Sequence, residues 1–126
     1  MRDTHASKMM YDIKPIFHHA KKNRETGNSY LLKESERYIG FIYISNLNNK
    51  HRAISLMIEK SMRNCGYGKI VLNSVSEYLF REKLADSVIV YIKDKNKNSI
   101  NMARSCRFEQ MGKLDSGDTT IYERRK

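Results

Sequence analysis

Cysteine is scarce in this chain of 126 residues, and long apolar runs are missing altogether. Cys65 and Cys106 are the only thiols and sit in unrelated contexts, which speaks against a disulfide framework and against a C-x-x-C metal site. They read as small buried or half-buried side chains. No run approaches the ~18 apolar residues that a bilayer-spanning helix needs. The start, Met1-Arg2-Asp3-Thr4-His5, lacks the apolar centre of a secretion leader, so a cytoplasmic placement is expected. His18 and His19 are adjacent, face different ways on a helix and cannot share an ion, and no structural metal is expected. Internal repeats, linkers and low-complexity segments are absent too, so residues 1–126 read as a single domain.

Acidic residues are in deficit: 24 Lys and Arg against 14 Asp and Glu give a formal charge of +10. Such a balance draws polyanions, whether a phosphorylated cofactor, an acidic protein or nucleic acid. The basic residues do not alternate with aromatics along a strand, and no helix-turn-helix or RNP-like motif appears, so nucleic acid ranks last.

What is present is a regular succession of patterned segments. Met9, Met10, Ile13, Ile16, Phe17 and Ala20 recur at helical spacing, which predicts a helix within 9–24 whose regular part begins near Pro15, the single proline. Tyr30–Lys33, Tyr38–Ser45 and His51–Ile58 are strand-like and separated by polar turns, which predicts an antiparallel meander. Lys69–Lys83 carries Val71, Leu72, Val75, Tyr78 and Leu79 on one stripe and predicts an amphipathic helix. Val88-Ile89-Val90-Tyr91-Ile92 is an unbroken apolar run, as expected of a buried parallel strand within Ser87–Lys93, so strand, helix and strand form a right-handed β-α-β unit. A short helix over Ser99–Cys106 and a hairpin of Glu109–Leu114 with Thr119–Arg124 complete the chain. The fold class is α/β, a mixed α+β sheet of about six strands with helices on its faces.

The chemistry concentrates between Ala53 and Gly68, AISLMIEKSMRNCGYG. A strand that runs through glycines into a helix can hold a phosphate, because Gly66 and Gly68 lack a Cβ and the positive end of the helix dipole faces the turn. The spacing Arg63-x-x-Gly66-x-Gly68, with Asn96-x-x-Ser99, Ala103 and Cys106-Arg107-Phe108 downstream, resembles the acyl-CoA loop and the N-x-x-S/A…G-F segment of the GNAT superfamily of N-acetyltransferases. The resemblance covers roughly Tyr30 to the C-terminus and is nearest in pattern to ribosomal-protein N-terminal acetyltransferases.

That resemblance implies acetyl-CoA as acyl donor, with no metal. The pantetheine arm would lie between two splayed parallel strands and pair with backbone near Met57, Ile58 and Glu59. The pyrophosphate would rest on Arg63, Asn64, Cys65, Gly66, Tyr67, Gly68 and Lys69, while Asn96 and Ser99 would contact the arm or position the following helix. Asn96 reads equally as a plain helix cap.

Three departures from the family pattern stand out. No carboxylate lies near Ala53, where relatives often keep a general base, and Ala103 stands where they often keep an acidic Tyr. Arg107 replaces the Gly that usually precedes the Phe. Tyr43, Tyr91, Glu59 and Ser99 are substitutes among which the sequence does not choose. Fewer than thirty residues precede the first good strand, so the N-terminal part and its acceptor wall are expected to be short, leaving room for a homodimer to complete them. The expected activity is N-acetylation of a primary amine on a protein N-terminus, a lysine or a small molecule. The alternative is a non-catalytic acyl-CoA-binding regulatory module of the same fold.

Overall fold

The computed structural model describes residues 14–15, 27–48, 50–63 and 66–126. Seven strands, β1 (Lys14–Pro15), β2 (Gly27–Glu34), β3 (Arg37–Asn46), β4 (His51–Ile58), β5 (Ser87–Lys93), β6 (Glu109–Lys113) and β7 (Thr119–Arg125), form one sheet in the order β1-β2-β3-β4-β5-β7-β6. Two helices are described, α1 (Tyr67–Arg81) and α2 (Lys97–Ser105), with a 3-10 turn at Lys60–Met62. The mixed sheet, the meander, the crossover and the C-terminal hairpin are those that the sequence pattern predicts.

Antiparallel pairing runs from β2 through β4, with Tyr30 opposite Ile42 and Ile42 opposite Leu56. The crossover through α1 makes β4 and β5 parallel, the one parallel pair among the described strands. Residues that share a rung share a face. Ile42, Ile54, Val88, Val90, Ile92 and Tyr122 therefore lie together on one side, where Leu72, Val75 and Leu79 of α1 and Ile100 and Ala103 of α2 complete the core. Both described helices cover this one face.

Several boundaries differ from the sequence-based expectation. Lys14 and Pro15 are paired with Leu31 and Tyr30 as β1, not helical, since proline is tolerated where a strand edge needs no N–H; the rest of the helix expected over 9–24 lies outside the described residues. β2 begins at Gly27 rather than Tyr30, because pairing of Gly27, Asn28 and Ser29 with Ser45, Ile44 and Tyr43 overrides their weak strand propensity. α1 begins at Tyr67, so Gly68 is inside the helix, and it ends at Arg81, with Lys83 in the left-handed region at φ 61°.

The C-terminal hairpin turns back so that β7, not β6, adjoins β5. Arg124 of β7 is buried; its guanidinium donates to Asn73 Oδ1 at 2.9 Å, to the Cys106 carbonyl at 3.3 Å and to Glu77 at 3.1 Å. One side chain thus ties β7 to α1 and to the end of α2. At the opposite end of β7, the Asp94 carboxylate accepts from Thr120 Oγ1 and from Lys113, joining the loop after β5 to both hairpin strands.

Candidate acyl-donor cleft

Parallel pairing of β4 with β5 covers three rungs, His51 with Ser87, Arg52 with Val88 and Ala53 with Ile89, and ends there. Beyond Ala53 each strand keeps its outer neighbour: β4 stays on β3 as far as Ile58, and β5 stays on β7 as far as Lys93. Two strands that retain one partner and lose the other must diverge. The result is a cleft of about 590 Å³ between them. Ile54, Leu56, Leu72, Val90 and Met102 supply its apolar walls, and Ser55, Tyr91, Lys93, Lys95, Asn96 and Ser99 its polar ones.

The edge of β4 facing this cleft carries backbone groups without a neighbouring strand. Backbone direction alternates along a strand. The Glu59 N–H donates to the Ile39 carbonyl on β3, so Ile58, and by alternation Leu56 and Ile54, point the other way. Of the three residues expected to meet a pantetheine arm, Ile58 presents its backbone to the opening, whereas Met57 and Glu59 direct theirs at β3. The Ile58 carbonyl accepts from Arg63 Nε at 2.9 Å, and an Arg63 terminal nitrogen reaches Met57 Sδ at 3.5 Å. Arg63 thus folds back over the end of β4 rather than standing out as a bare charge.

At the open end of the cleft stands the N-terminus of α1. Gly66 caps it in the left-handed conformation, φ 86°, without a side-chain cap and with no acidic residue in the first turn. The first N–H groups of the helix have no intrahelical acceptor, so its positive end is left for an anion. A Cβ on Gly66 would meet nothing within 4 Å among the described residues, so on their side the approach is open. Gly68 has a different reason to be glycine: its Cβ would come within 2.9 Å of Met102 Sδ and 3.8 Å of Ile58 Cγ1. That contact brings α1, α2 and the end of β4 together at one point. Tyr67 is half-buried against the core, Lys69 is exposed, and the Lys69 carbonyl lies 3.6 Å from Cys106 Sγ. Asn64 and Cys65 lie outside the described residues.

Asn96 caps α2, its Oδ1 accepting from the Ser99 N–H at 3.2 Å, and both residues line the cleft. The four catalytic substitutes separate. Glu59 accepts from the Ser61 hydroxyl and N–H, which, together with Arg63, holds its carboxylate below the usual range and makes it a weak base. Tyr43 is half-buried, its ring and hydroxyl crowding Gly27. Ser99 and Tyr91 line the cleft, and Tyr91 is 44% exposed. Burial pushes the Cys106 thiol up, so it stays protonated and unreactive. Ile54, Ser55, Leu56, Val90, Lys95 and Met102 escape the sequence reading as site residues; Ser55, a polar break in the apolar run of β4, is the one visible signal.

A parallel pair that opens beside an uncapped glycine turn is the arrangement that the sequence resemblance anticipates. The acetyltransferase (GNAT) family model matches residues 1–108. This chain belongs to the GNAT acetyltransferase family. Solved structures agree on the fold. RimL, a ribosomal-protein alpha-N-acetyltransferase in complex with coenzyme A, superposes with a TM-score of 0.74 at 16% identity, over 79% of this chain and 62% of its own. PseH, an N-acetyltransferase of Campylobacter jejuni in complex with acetyl coenzyme A, gives 0.70 at 18%, over 80% and 69%. A spermidine N-acetyltransferase SpeG chimera, from Vibrio cholerae and hSSAT, gives 0.73 at 13%, over 79% and 67%. The chain thus spans about 62% of the length of RimL. No curated protein is similar enough to count as a match. Among the described residues no helix is long and apolar enough to cross a membrane.

Proposed function

We propose that this chain is an acetyl-CoA-dependent N-acetyltransferase that moves an acetyl group to a primary amine, on a protein N-terminus, a lysine or a small molecule. One observation carries the reading: the only parallel strand pair among those described parts after Ala53 and Ile89 into a cleft whose mouth is the uncapped N-terminus of α1. Main-chain N–H groups of Gly66, Tyr67 and Gly68 at the start of α1 receive the pyrophosphate, because fixed donors need no reordering when the anion arrives. Lys69 and Arg63 add charge, and Arg63 exchanges its hold on the Ile58 carbonyl for the cofactor. The pantetheine arm takes the free edge of β4 at Leu56 and Ile58, beside Asn96 and Ser99. Cofactor-bound structures of RimL and PseH, which share the fold, support this placement. No metal takes part.

The non-catalytic alternative draws on one observation, that no carboxylate lines the cleft among the described residues. Calorimetric titration with acetyl-CoA followed by thiol release with an amine panel decides. Micromolar binding with thiol release establishes the transferase, binding without turnover establishes the module, and no binding refutes both. A cytoplasmic location and a homodimer belong to the same proposal, the latter checked by light scattering with and without acetyl-CoA.

A further inference from the structure

Among the described residues no carboxylate lines the cleft, and position 103 holds no tyrosine, so we look for another proton carrier among those that do line it. We infer that Tyr91, on β5 at the point where the sheet opens, is the catalytic acid that protonates the departing thiolate. This inference rests on the N-acetyltransferase reading above.

Depth comes first. Gly68 lies against Ile58, so a pyrophosphate at the start of α1 sits at the open end of β4. From Ile58 back to Ile54 is four residue steps, about 13 Å at the strand rise. An extended pantetheine arm is of that order. Its sulfur therefore arrives near the fork, beside Ile54 and Ser55 on one strand and Val90 and Tyr91 on the other.

Facing comes second. Ala53 and Ile89 share the last rung, so Ser55 and Tyr91, two residues further on, flank the fork on the same side of the sheet. Ile54 and Val90 point the opposite way and are buried beneath the helices. The helix side is closed, and an amine reaches the thioester from the side of Ser55 and Tyr91. Tyr91 thus stands between the leaving sulfur and the incoming nitrogen. Ser99, the other of the four candidates that lines the cleft, belongs to the first turn of α2 by the cleft mouth, next to Asn96. A phenol also gives up a proton far more readily than an alkyl alcohol.

The step balances within the site. The neutral amine nitrogen attacks the thioester carbonyl and forms the C–N bond; the C–S bond breaks and sulfur leaves with the electron pair. The Tyr91 O–H gives its proton to that sulfur, and the resulting phenolate takes one from the attacked nitrogen. The products are the N-acetyl amide and free CoA thiol, and Tyr91 is restored. One residue thereby does the work of acid and base in turn, which accounts for both family departures.

The test is thiol release from acetyl-CoA by the full chain, with peptides beginning in Ser, Ala or Met, lysine and spermidine as acceptors. In Tyr91→Phe the ring remains and the proton is lost. The expected result is a fall in kcat of about 10²- to 10⁴-fold, with calorimetric affinity for acetyl-CoA and circular dichroism unchanged. Tyr91→His, which restores a proton donor, recovers part of the rate. Retention of kcat within about twofold in Tyr91→Phe overturns the inference and leaves the transferase standing. So does a loss of rate in Ser99→Ala that Tyr91→Phe does not share. A wild-type chain that binds acetyl-CoA yet releases no thiol with any acceptor overturns the transferase reading, and this inference with it.

Discussion

Replacing Gly66 by Asp tests the phosphate turn with little risk to the fold. Gly66 is left-handed at φ 86°, where an L side chain costs about 1–2 kcal/mol. An acidic residue at the start of a helix returns about 0.3–1 kcal/mol through the dipole. Nothing among the described residues lies within 4 Å of the new Cβ, so none of them adds a clash. The net loss of about 1 kcal/mol is small beside the roughly 5–15 kcal/mol that holds a domain of this kind together. Binding responds differently. A carboxylate at about 4 Å from a phosphate charge costs about 1 kcal/mol in bulk water and about 4 kcal/mol at the effective dielectric of a protein surface. Affinity for acetyl-CoA should therefore fall between about 5-fold and about 10³-fold, whereas Gly66→Ala, which has the strain without the charge, stays within about 5-fold of wild type. Isothermal calorimetry reads the affinities and circular dichroism the fold. An Asp variant that binds as tightly as the Ala variant, with both folded, refutes the idea that an anion sits at this turn.

Three further outcomes follow from particular contacts. Arg124→Met strands the Cys106 carbonyl and deprives half-exposed Glu77 of one partner, while Arg107 remains beside it; a loss of about 2–3 kcal/mol is expected, read from the urea midpoint, and an unchanged midpoint would mean that the buried guanidinium only balances its own desolvation. Hydrogen bonds from Lys113 and Thr120 hold Asp94 below the usual carboxylate range. A depressed native value contributes stability above the ordinary Asp value and loses it below. The difference in melting temperature between wild type and Asp94→Asn is thus full at pH 7, shrinks as pH falls below about 3.9, and closes once the native value is passed; a difference that persists in strong acid argues against the ionic origin. Lys95 lines the cleft beside Lys93, which is paired with Asp118 at 3.7 Å, and no carboxylate lines it among the described residues, so spermidine should be a poorer acceptor than a monoamine at low salt, with the gap narrowing as salt is added. Equal rates at every ionic strength would remove charge as a selector here.

Where apolar residues run on without a break, the sequence speaks clearly. β4 and β5 match their expected bounds, His51–Ile58 and Ser87–Lys93, because continuous apolar and β-branched runs leave few alternatives. The glycine turn is legible as chemistry and misleading as structure. Gly68 looks like part of a loop, since glycine disfavours helix, yet it lies in the helix, and it is glycine because Met102 occupies the space a side chain would need. No local pattern at Gly68 reports a contact with a residue thirty-four positions away. Arg63 was legible as a charge near phosphates; its grip on the Ile58 carbonyl was not, because which strand carbonyls remain open depends on where β5 leaves β4.

That departure is also the reason the cleft exists, and it follows from what each strand has on its far side. β4 is committed to β3 by rungs that run on to Gly40 and Ile58, and β5 to β7 by rungs as far as Lys93 and Thr119. Neither strand can follow the other past Ala53 and Ile89 without giving up a paired neighbour. The separation therefore leaves only the polar groups along two short inner edges without ladder partners, and these are the groups that an amide-bearing arm can take up. A ligand that supplies backbone-like donors and acceptors, with a phosphate for the helix end, repairs the sheet as it binds. On the reading proposed above, its outer end is fixed at Gly66 and its inner end at the fork. The position of the reacting sulfur is then a consequence of strand length, and the proposed acid Tyr91 stands where that length runs out.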